Sequence, residues 1–177
     1  IILLVQGDLM AEENMNEELL APFIYSATHI VYSLIKQNRL YLDTVILDET
    51  WRLISNEFAA ERIRDMVKII RGYGGSVMTA TQDINDYIDS QAGKAIIAGT
   101  AIKILMRMEK PECRKVAEEL GLSDEDVNTI VKFKRGQAMI LTSTDKTIVN
   151  IIPSAKENYE FTTDPNELLK YAKEKSN

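Results

Sequence analysis

The sequence contains one cysteine and one histidine, and it has no long hydrophobic run. The single cysteine, Cys113, excludes an intrachain disulfide and fits a reducing compartment, so we interpret it as an inert thiol. His29 has no second histidine as a partner, and we interpret it as a core or surface residue rather than a metal ligand. No apolar run approaches the roughly 18 residues that span a bilayer, and no signal-peptide pattern is present.

The chain also lacks an initiator methionine and starts within an apolar run, Ile1 to Val5, that is typical of a buried strand. We therefore expect the 177 residues to be a fragment. Their length corresponds to one domain, and 45% hydrophobic residues are enough for a core. The net charge of -6 gives no support for a nucleic-acid coat or a polybasic membrane anchor, so we expect a cytoplasmic location.

Short apolar runs alternate with helical periodicity, which predicts an α/β fold with a mostly parallel sheet flanked by helices. Residues 143–146 indicate the turn of an antiparallel hairpin that joins the last two strands. From residue 155 to 177 we predict a polar tail whose short helix begins at Asp164–Pro165. The predicted strands are 44–47, 76–80, 102–106, 138–141 and 148–152, with 1–5 as a sixth candidate.

The sequence also predicts where two helices end. The stripe formed by Ile63, Met66 and Ile70 predicts an amphipathic helix that stops at Gly72. Gly121 predicts the end of another helix, and Ser123 begins a pattern typical of a capping box.

The segment Thr44 to Glu49 carries the strongest chemical signal, because Thr44 and three apolar residues are followed directly by two carboxylates. A strand buried on both faces delivers its last residues to the carboxyl edge of the sheet, where open α/β folds bind ligands. This is the form of a Walker B segment, in which Asp48 holds Mg²⁺ and Glu49 takes a proton from the attacking water. The alternative is a strand that ends in acidic residues at an exposed turn.

A second strand, within Gly74 to Gln82, ends in polar residues one helix later. A right-handed crossover would place it parallel to the Asp48 strand. Gln82 and Glu49 would then lie at the same edge of the sheet, where an amide can bind the γ-phosphate or the attacking water. The alternative role for Gln82 is a cap on the following turn.

These blocks resemble the conjugative-transfer ATPases of type IV secretion systems. The closest similarity is to the energising ATPases in the position of the fourth VirB protein, including TraC- and TraE-like proteins, within the FtsK–HerA group of RecA-like P-loop ATPases. The segments that carry the resemblance are Leu47 to Ile54, the arginine-containing helix ending Arg71–Gly72, Thr79 to Asp83, Gly93 to Ile97, Gly136 to Ala138 and Phe161 to Pro165.

The resemblance implies a RecA-like core that binds ATP and Mg²⁺. It implies that Asp48 coordinates the metal, that Glu49 is the catalytic glutamate, and that Gln82 is the sensor of the bound phosphate. Arg71 matches the basic position before the sensor strand. One of Arg71, Arg62 and Arg64 would reach the nucleotide of a neighbouring subunit in a homo-hexamer, and a solvated helix face is the alternative for each of them. The implied partners are other proteins of the secretion apparatus at the inner face of the membrane, and DNA.

Other arginines have two alternative roles, one at the nucleotide of a neighbouring subunit and one at the protein surface. Arg62 and Arg64 lie on the same predicted helix as Arg71 and serve either a neighbouring nucleotide or a solvated helix face. Arg135 follows two lysines and would reach the same interface, although cations near a helix C-terminus need no further purpose.

The clear departure from the family pattern is the lack of a Walker A loop, whose glycines and lysine normally cradle the phosphates. Gly93–Lys94 is the one Gly-Lys pair, and Ala95 replaces the required Ser or Thr, so we do not interpret it as a P-loop. We expect the fragment to carry the hydrolysis half of the site. Two alternatives to a secretion motor stay open: a DNA-translocating motor or coupling protein of the same superfamily, and a non-catalytic docking domain.

Overall fold

The structure is a computed structural model that describes residues 2–6, 17–37, 44–48, 54, 57–82, 84–162 and 164–175. The chain divides into two compact units. The first unit contains Ile1–Ala101 and Glu109–Asn128, and the second contains Ile102–Met108 and Thr129–Asn177.

The first unit is built on a parallel sheet with the strand order β1–β2–β3. These strands are β1 (Ile2–Gln6), β2 (Thr44–Asp48) and β3 (Ser76–Thr79). Leu3 pairs with Val45, which in turn pairs with Val77. All three strands were predicted from sequence, and their parallel arrangement confirms the crossover expected between β2 and β3.

Helix α1 (Glu17–Gln37) connects β1 to β2, and helix α2 (Glu57–Ile70) connects β2 to β3. The apolar stripe of α2 is buried in the core, as its spacing predicted. A 3₁₀ turn, Arg71–Tyr73, follows α2, and Gly74 with φ of 79° terminates it in the left-handed conformation. The N–H of Gly75 bonds to the carbonyl of Ile70, so the chain turns directly into β3.

One face of the sheet packs against the helices. On it Val45 and Leu47 are buried, while Met78, on the opposite face of β3, is 50% exposed. This face of β3, the edge strand of the three-stranded sheet, is therefore accessible at Met78. The core of this unit consists of Val31, Ile35, Val45, Leu47, Ile54, Ala59, Ala60, Ile63, Met66, Ile70, Tyr87 and Ile96.

Four further helices follow β3: α3 (Asn85–Asp89), α4 (Gln91–Gly99), α5 (Lys110–Leu120) and α6 (Asp124–Ile130). Gly121, with φ of 67°, ends α5 as predicted.

The capping box at the start of α6 is also confirmed. The Asp126 carboxylate accepts hydrogen bonds from the N–H and hydroxyl of Ser123, and the N–H of Asp126 donates to that hydroxyl. This exchange satisfies donors that the first turn of a helix otherwise leaves unpaired.

The second unit contains an antiparallel sheet with the order β4–β5–β6. These strands are β4 (Lys103–Leu105), β5 (Gln137–Leu141) and β6 (Lys146–Asn150). The predicted antiparallel hairpin of β5 and β6 is present, but β4, expected with the parallel strands, also pairs antiparallel with β5. The overall prediction of an α/β fold with parallel strands and a C-terminal antiparallel element is confirmed.

Strand β6 begins two residues earlier than predicted because the turn before it is tighter. The hydroxyl of Thr142 accepts hydrogen bonds from the N–H groups of Thr144 and Asp145. The N–H of Thr142 donates to the carbonyl of Asp145 at 2.9 Å. These bonds close the hairpin at Asp145, so Lys146 is already part of the strand.

The tail holds two helices rather than one, α7 (Ala155–Phe161) and α8 (Pro165–Lys175). Helix α8 begins at the predicted position. Helix α7 was not predicted, and a capping box in which Ser154 and Glu157 exchange hydrogen bonds begins it.

Candidate functional site

The carboxyl ends of β2 and β3 lie side by side. Asp48 is the last residue of β2 and is half-buried. Leu47 pairs with Thr79, and the N–H of Ala80 donates to the carbonyl of Leu47 at 2.8 Å. This bond holds the chain beyond β3 against the end of β2, so the residues that follow Ala80 start at the edge that carries Asp48.

Thr81 and Gln82 are those following residues. Thr81 is half-buried and Gln82 is exposed, and both make interactions within the chain. The structure therefore brings Asp48 and the Gln82 segment to one edge of the sheet, as the sequence predicted. Glu49, the predicted base, lies outside the described residues, as do Trp51 and Asp83.

Arg71 lies at the opposite edge of the sheet, before the start of β3. The amino edge is marked by a hydrogen bond between the hydroxyls of Thr44 and Ser76, 2.8 Å apart. Strand β3 alone separates the two edges by about 10 Å at 3.3 Å per residue. Arg71 is exposed and thus does not belong to the group of residues around Asp48 within one copy of the chain.

Arg62 and Arg64 are half-buried on α2 and contact residues of the same helix. The Arg62 guanidinium lies 5.6 Å from the centre of the Phe58 ring, a cation–π distance. The Arg64 guanidinium lies 3.5 Å from the Glu61 carboxylate in a largely exposed pair. These local contacts fit the interpretation of a helix face.

Gly93 and Lys94 lie inside helix α4. The Ser90 hydroxyl accepts a hydrogen bond from the Gly93 N–H at 2.9 Å and caps this helix. A Cβ added to Gly93 would lie 2.3 Å from the Tyr87 carbonyl oxygen, so glycine is required for the close approach to the backbone of α3. The pair thus has a packing role, in agreement with the sequence-based decision not to interpret it as a phosphate loop.

The donor set at this edge fits magnesium. Mg²⁺ prefers oxygen ligands and is usually held by one or two carboxylates together with water and substrate phosphates. Asp48 offers a half-buried carboxylate, and Thr81 lies on the neighbouring segment. Within the described ranges there is no group of three or more His, Cys, Asp or Glu side chains that would hold a metal by itself.

Cys113 and His29 have structural surroundings. Cys113 is buried, its Sγ lies 4.0 Å from the carbonyl oxygen of Val127, and burial raises the pKa of its thiol. A raised pKa leaves little reactive thiolate, in line with the expected inert thiol. His29 is exposed on α1 and stacks on Tyr25, with ring centres 6.4 Å apart.

The parallel sheet with a carboxylate at the end of one strand and polar residues beyond the next is the arrangement expected of a RecA-like P-loop NTPase core. The structure matches that of VirB4 of Thermoanaerobacter pseudethanolicus with a TM-score of 0.70 and 20% identity, covering 82% of this chain and 40% of that one. It also matches the genome packaging NTPase B204 from Sulfolobus turreted icosahedral virus 2, with a TM-score of 0.50 and 17% identity, over 66% of this chain and 56% of that one.

Residues 23–177 match the TraG P-loop domain, and the chain belongs to this family. The chain is also 24% identical over 115 residues to the type IV secretion system protein virB4 of Bartonella quintana and of Bartonella henselae. That match covers 65% of this chain and 14% of each relative. The resemblance to conjugation and type IV secretion ATPases is thereby confirmed.

Among the described helices, none has the length and apolar character required to cross a membrane.

Proposed function

We propose that this chain is part of the catalytic domain of an ATP-hydrolysing motor that powers the transfer of DNA or protein through a conjugation or type IV secretion apparatus. The observation that carries the proposal is the hydrogen bond from the Ala80 N–H to the Leu47 carbonyl. It keeps the segment of Gln82 beside the end of β2, where Asp48 lies. Membership of the TraG P-loop domain family supports a nucleotide as the ligand at this edge.

The residues at this edge have distinct roles in the proposed reaction. Asp48 would hold Mg²⁺, which when bound neutralises charge on the phosphates of ATP. Glu49 would accept the proton of the attacking water, and the Gln82 amide would hydrogen-bond the γ-phosphate or that water. The phosphate-binding loop itself would come from a part of the intact protein outside these 177 residues.

Arg71 would act in trans. Its position at the amino edge keeps it away from Asp48 of its own copy, so it would serve the nucleotide of a neighbouring copy in a ring of six. A guanidinium suits this role because it donates several hydrogen bonds in a fixed plane and stays charged. The ring would be located on the cytoplasmic side of the membrane and would be held there by other proteins of the secretion apparatus.

The decisive experiment replaces Glu49 in the intact protein. Glu49→Gln should lower ATP turnover by roughly 10²–10⁴-fold, because it removes the general base. Nucleotide affinity should stay close to normal, because Asp48 is unchanged. Glu57→Gln, at an exposed position in the first turn of α2, is the matched control and should leave turnover unaltered. Turnover of Glu49→Gln at the unmodified rate would show that the Walker B interpretation is wrong.

Two companion variants separate binding from hydrolysis. Asp48→Asn should weaken magnesium-dependent binding and turnover together, whereas Gln82→Ala should slow turnover while ATP affinity is retained. Turnover stimulated by added DNA would instead favour the DNA-translocating motor. Normal ATP binding without any turnover in the unmodified intact protein would favour the docking domain.

A further inference from the structure

The two units carry charges of opposite sign. The first unit contains 11 Lys and Arg residues against 21 Asp and Glu residues, a formal charge of -10. The second unit contains 10 Lys and Arg residues against 6 Asp and Glu residues, a formal charge of +4. The net charge of -6 for the whole chain hides this separation.

The most concentrated positive charge in the second unit lies just before β5. Lys132, Lys134 and Arg135, which we call the basic turn, are all exposed. Phe133 between them is only 5% exposed and anchors the segment in the core of the unit. In the part of the chain that the structure describes, no carboxylate forms an ion pair with these three cations. Their charges are therefore available to a partner.

The backbone of the basic turn is fixed by hydrogen bonds. The N–H of Gln137 donates to the carbonyl of Lys134 at 3.0 Å, and the Gln137 side chain accepts from the Lys134 N–H at 2.8 Å. The N–H of Ile151 donates to the carbonyl of Gly136 at 2.7 Å. A fixed backbone lowers the entropy cost of binding, so this turn is prepared for a contact.

Helix electrostatics explains only part of this cluster. A cation shortly after the C-terminus of a helix is stabilised by the helix dipole, and Lys132 follows the end of α6 by two residues. That effect falls off within a turn. Lys134 and Arg135 lie further along the chain, beyond the reach of that effect.

The first unit carries exposed carboxylates that the helix dipole disfavours. Glu118 and Glu119 lie in the last turn of α5, which contains no basic residue, and a carboxylate at a helix C-terminus is destabilising. Exposed Asp124 and Glu125 follow four residues later at the start of α6. Glu118 and Glu119 make no ion pair within the described ranges. Cations from another molecule would offset the unfavourable interaction between these carboxylates and the helix dipole.

We propose that the basic turn of one copy docks on the acidic segment 118–125 of a second copy, so that the chains associate head to tail. Such a contact uses different surfaces on the two partners, and it generates a ring when its rotation closes. This contact specifies how neighbouring copies would associate in the ring of the proposed function, and it rests on that proposed function. Opposite charges at an interface also steer encounter and fix the register, so the association should weaken as salt is raised.

An acidic protein surface suits the basic turn better than a nucleic acid does. The acidic complement is present on the same chain, in the exposed carboxylates of the segment 118–125. Stacking on aromatic side chains is a common part of single-strand binding. The one aromatic residue in the basic turn, Phe133, is buried.

The test is a charge exchange in the intact protein, read out by sedimentation velocity at about 0.1 M salt, where the Debye length is about 10 Å. Lys134→Glu with Arg135→Glu should raise the dissociation constant for self-association roughly tenfold or more, equivalent to at least about 1.4 kcal/mol. Glu118→Lys with Glu119→Lys should do the same. An equimolar mixture of the two variants should regain association, because opposite charges then face each other at every contact.

The matched control is Lys156→Glu with Lys173→Glu, which changes the net charge equally at exposed positions on α7 and α8. It should leave association near the unmodified value. A monomeric intact protein, association unaffected by either reversal, or a mixture that stays dissociated would each overturn the contact. The contact would also be overturned if Lys134→Glu with Arg135→Glu abolished DNA binding and left self-association intact. None of these results bears on Glu49→Gln, so a failure of this contact and a failure of the proposed hydrolysis are separable.

Discussion

The two units differ in where their sheets place the ends of their strands. Parallel strands β2 and β3 end at one edge, so Asp48 and the Gln82 segment meet although 34 positions separate them in the sequence. In the antiparallel sheet, adjacent strands run in opposite directions, so their carboxyl ends lie at opposite edges of the sheet. This difference accounts for a candidate reaction site in the first unit and a charged turn in the second.

Gly93 in the first unit and Gly136 in the second are required for different reasons, and this contrast can be tested by substitution. The largest expected effect is that of Gly93→Ala, because the new Cβ would lie 2.3 Å from the backbone of Tyr87, which cannot rotate away. We expect the free energy of opening of α3 and α4 to fall by about 3 kcal/mol, at the upper end of overpacking costs. Hydrogen exchange of the amides in these two helices measures it.

The control for this substitution is Gly72→Ala, where no atom lies within 4 Å of the added Cβ and φ is not positive. It should change stability by less than about 1 kcal/mol, and in the stabilising direction. Equal exchange rates in the Gly93 and Gly72 variants would show that the close approach to the Tyr87 backbone does not require glycine at position 93.

Gly136→Ala in the second unit should have the next largest effect. Its φ of 85° is strained for alanine, and the new Cβ would lie 2.8 Å from the Ile151 carbonyl oxygen. We expect a loss of about 2 kcal/mol, because the left-handed conformation alone costs roughly 1–2 kcal/mol. Hydrogen exchange at the Ile151 amide, which bonds to Gly136, reports the change.

Gly121→Ala isolates the conformational part of that cost. Gly121 also has a positive φ, 67°, but nothing lies within 4 Å of its added Cβ. Its loss should be about 1 kcal/mol, the lower end of the left-handed penalty. A Gly121 variant as damaged as the Gly136 variant would show that contact with Ile151 is unimportant.

The smallest expected effect concerns the cap of α7. Ser154→Ala should cost about 1 kcal/mol, because the Ser154 hydroxyl accepts the Glu157 N–H in the first turn of this helix. Hydrogen bonds from Ser154 also lower the pKa of Glu157 below its ordinary value of 4.5. The stabilisation from Glu157 is therefore present above that value and is lost as the pH falls through the lower pKa of the folded state.

The measurement for this cap is amide exchange in α7 as a function of pH. In the unmodified protein, protection should fall below pH 4.5, and Ser154→Ala should weaken this dependence. Ser143→Ala, at an exposed position of the hairpin turn, should leave both protection and its pH dependence unchanged. Alanine keeps the backbone N–H that is the larger cause of the lowered pKa of Glu157, so an unaltered pH dependence in the Ser154 variant would show that the hydroxyl does not contribute to it.

Features that depend on interactions between residues close together in the sequence were predictable. Strand β2 was predictable because the three apolar residues before Asp48 identify a strand without knowledge of its partner. Helix ends at Gly121 and Ser123 were predictable because their hydrogen bonds lie within a few residues. The start of β6 was misplaced because it depends on which side chains close the turn, and Thr142 was not recognised as one of them.

Features that depend on distant partners were not predictable. The predicted strand 102–106 shows that a strand is present, but it does not show which strand it pairs with or in which direction. The sequence placed Gln82 near Asp48 only through the crossover rule, and it gave no position for Arg71 at the other edge. The charge separation was hidden because composition averages over residues that the fold assigns to different units.

Cys113 gives the protein a natural probe for local motion. Its thiol is fully buried between α5 and α6, close to the Val127 carbonyl, and the sequence contains no other cysteine. A thiol reagent can therefore modify these residues only when that part of the first unit opens. The rate of modification under native conditions, divided by the rate for the unfolded chain, gives the free energy of that opening without any engineered label. The acidic segment 118–125 spans the connection between these two helices, so slower modification on raising the protein concentration would report when this surface becomes occupied.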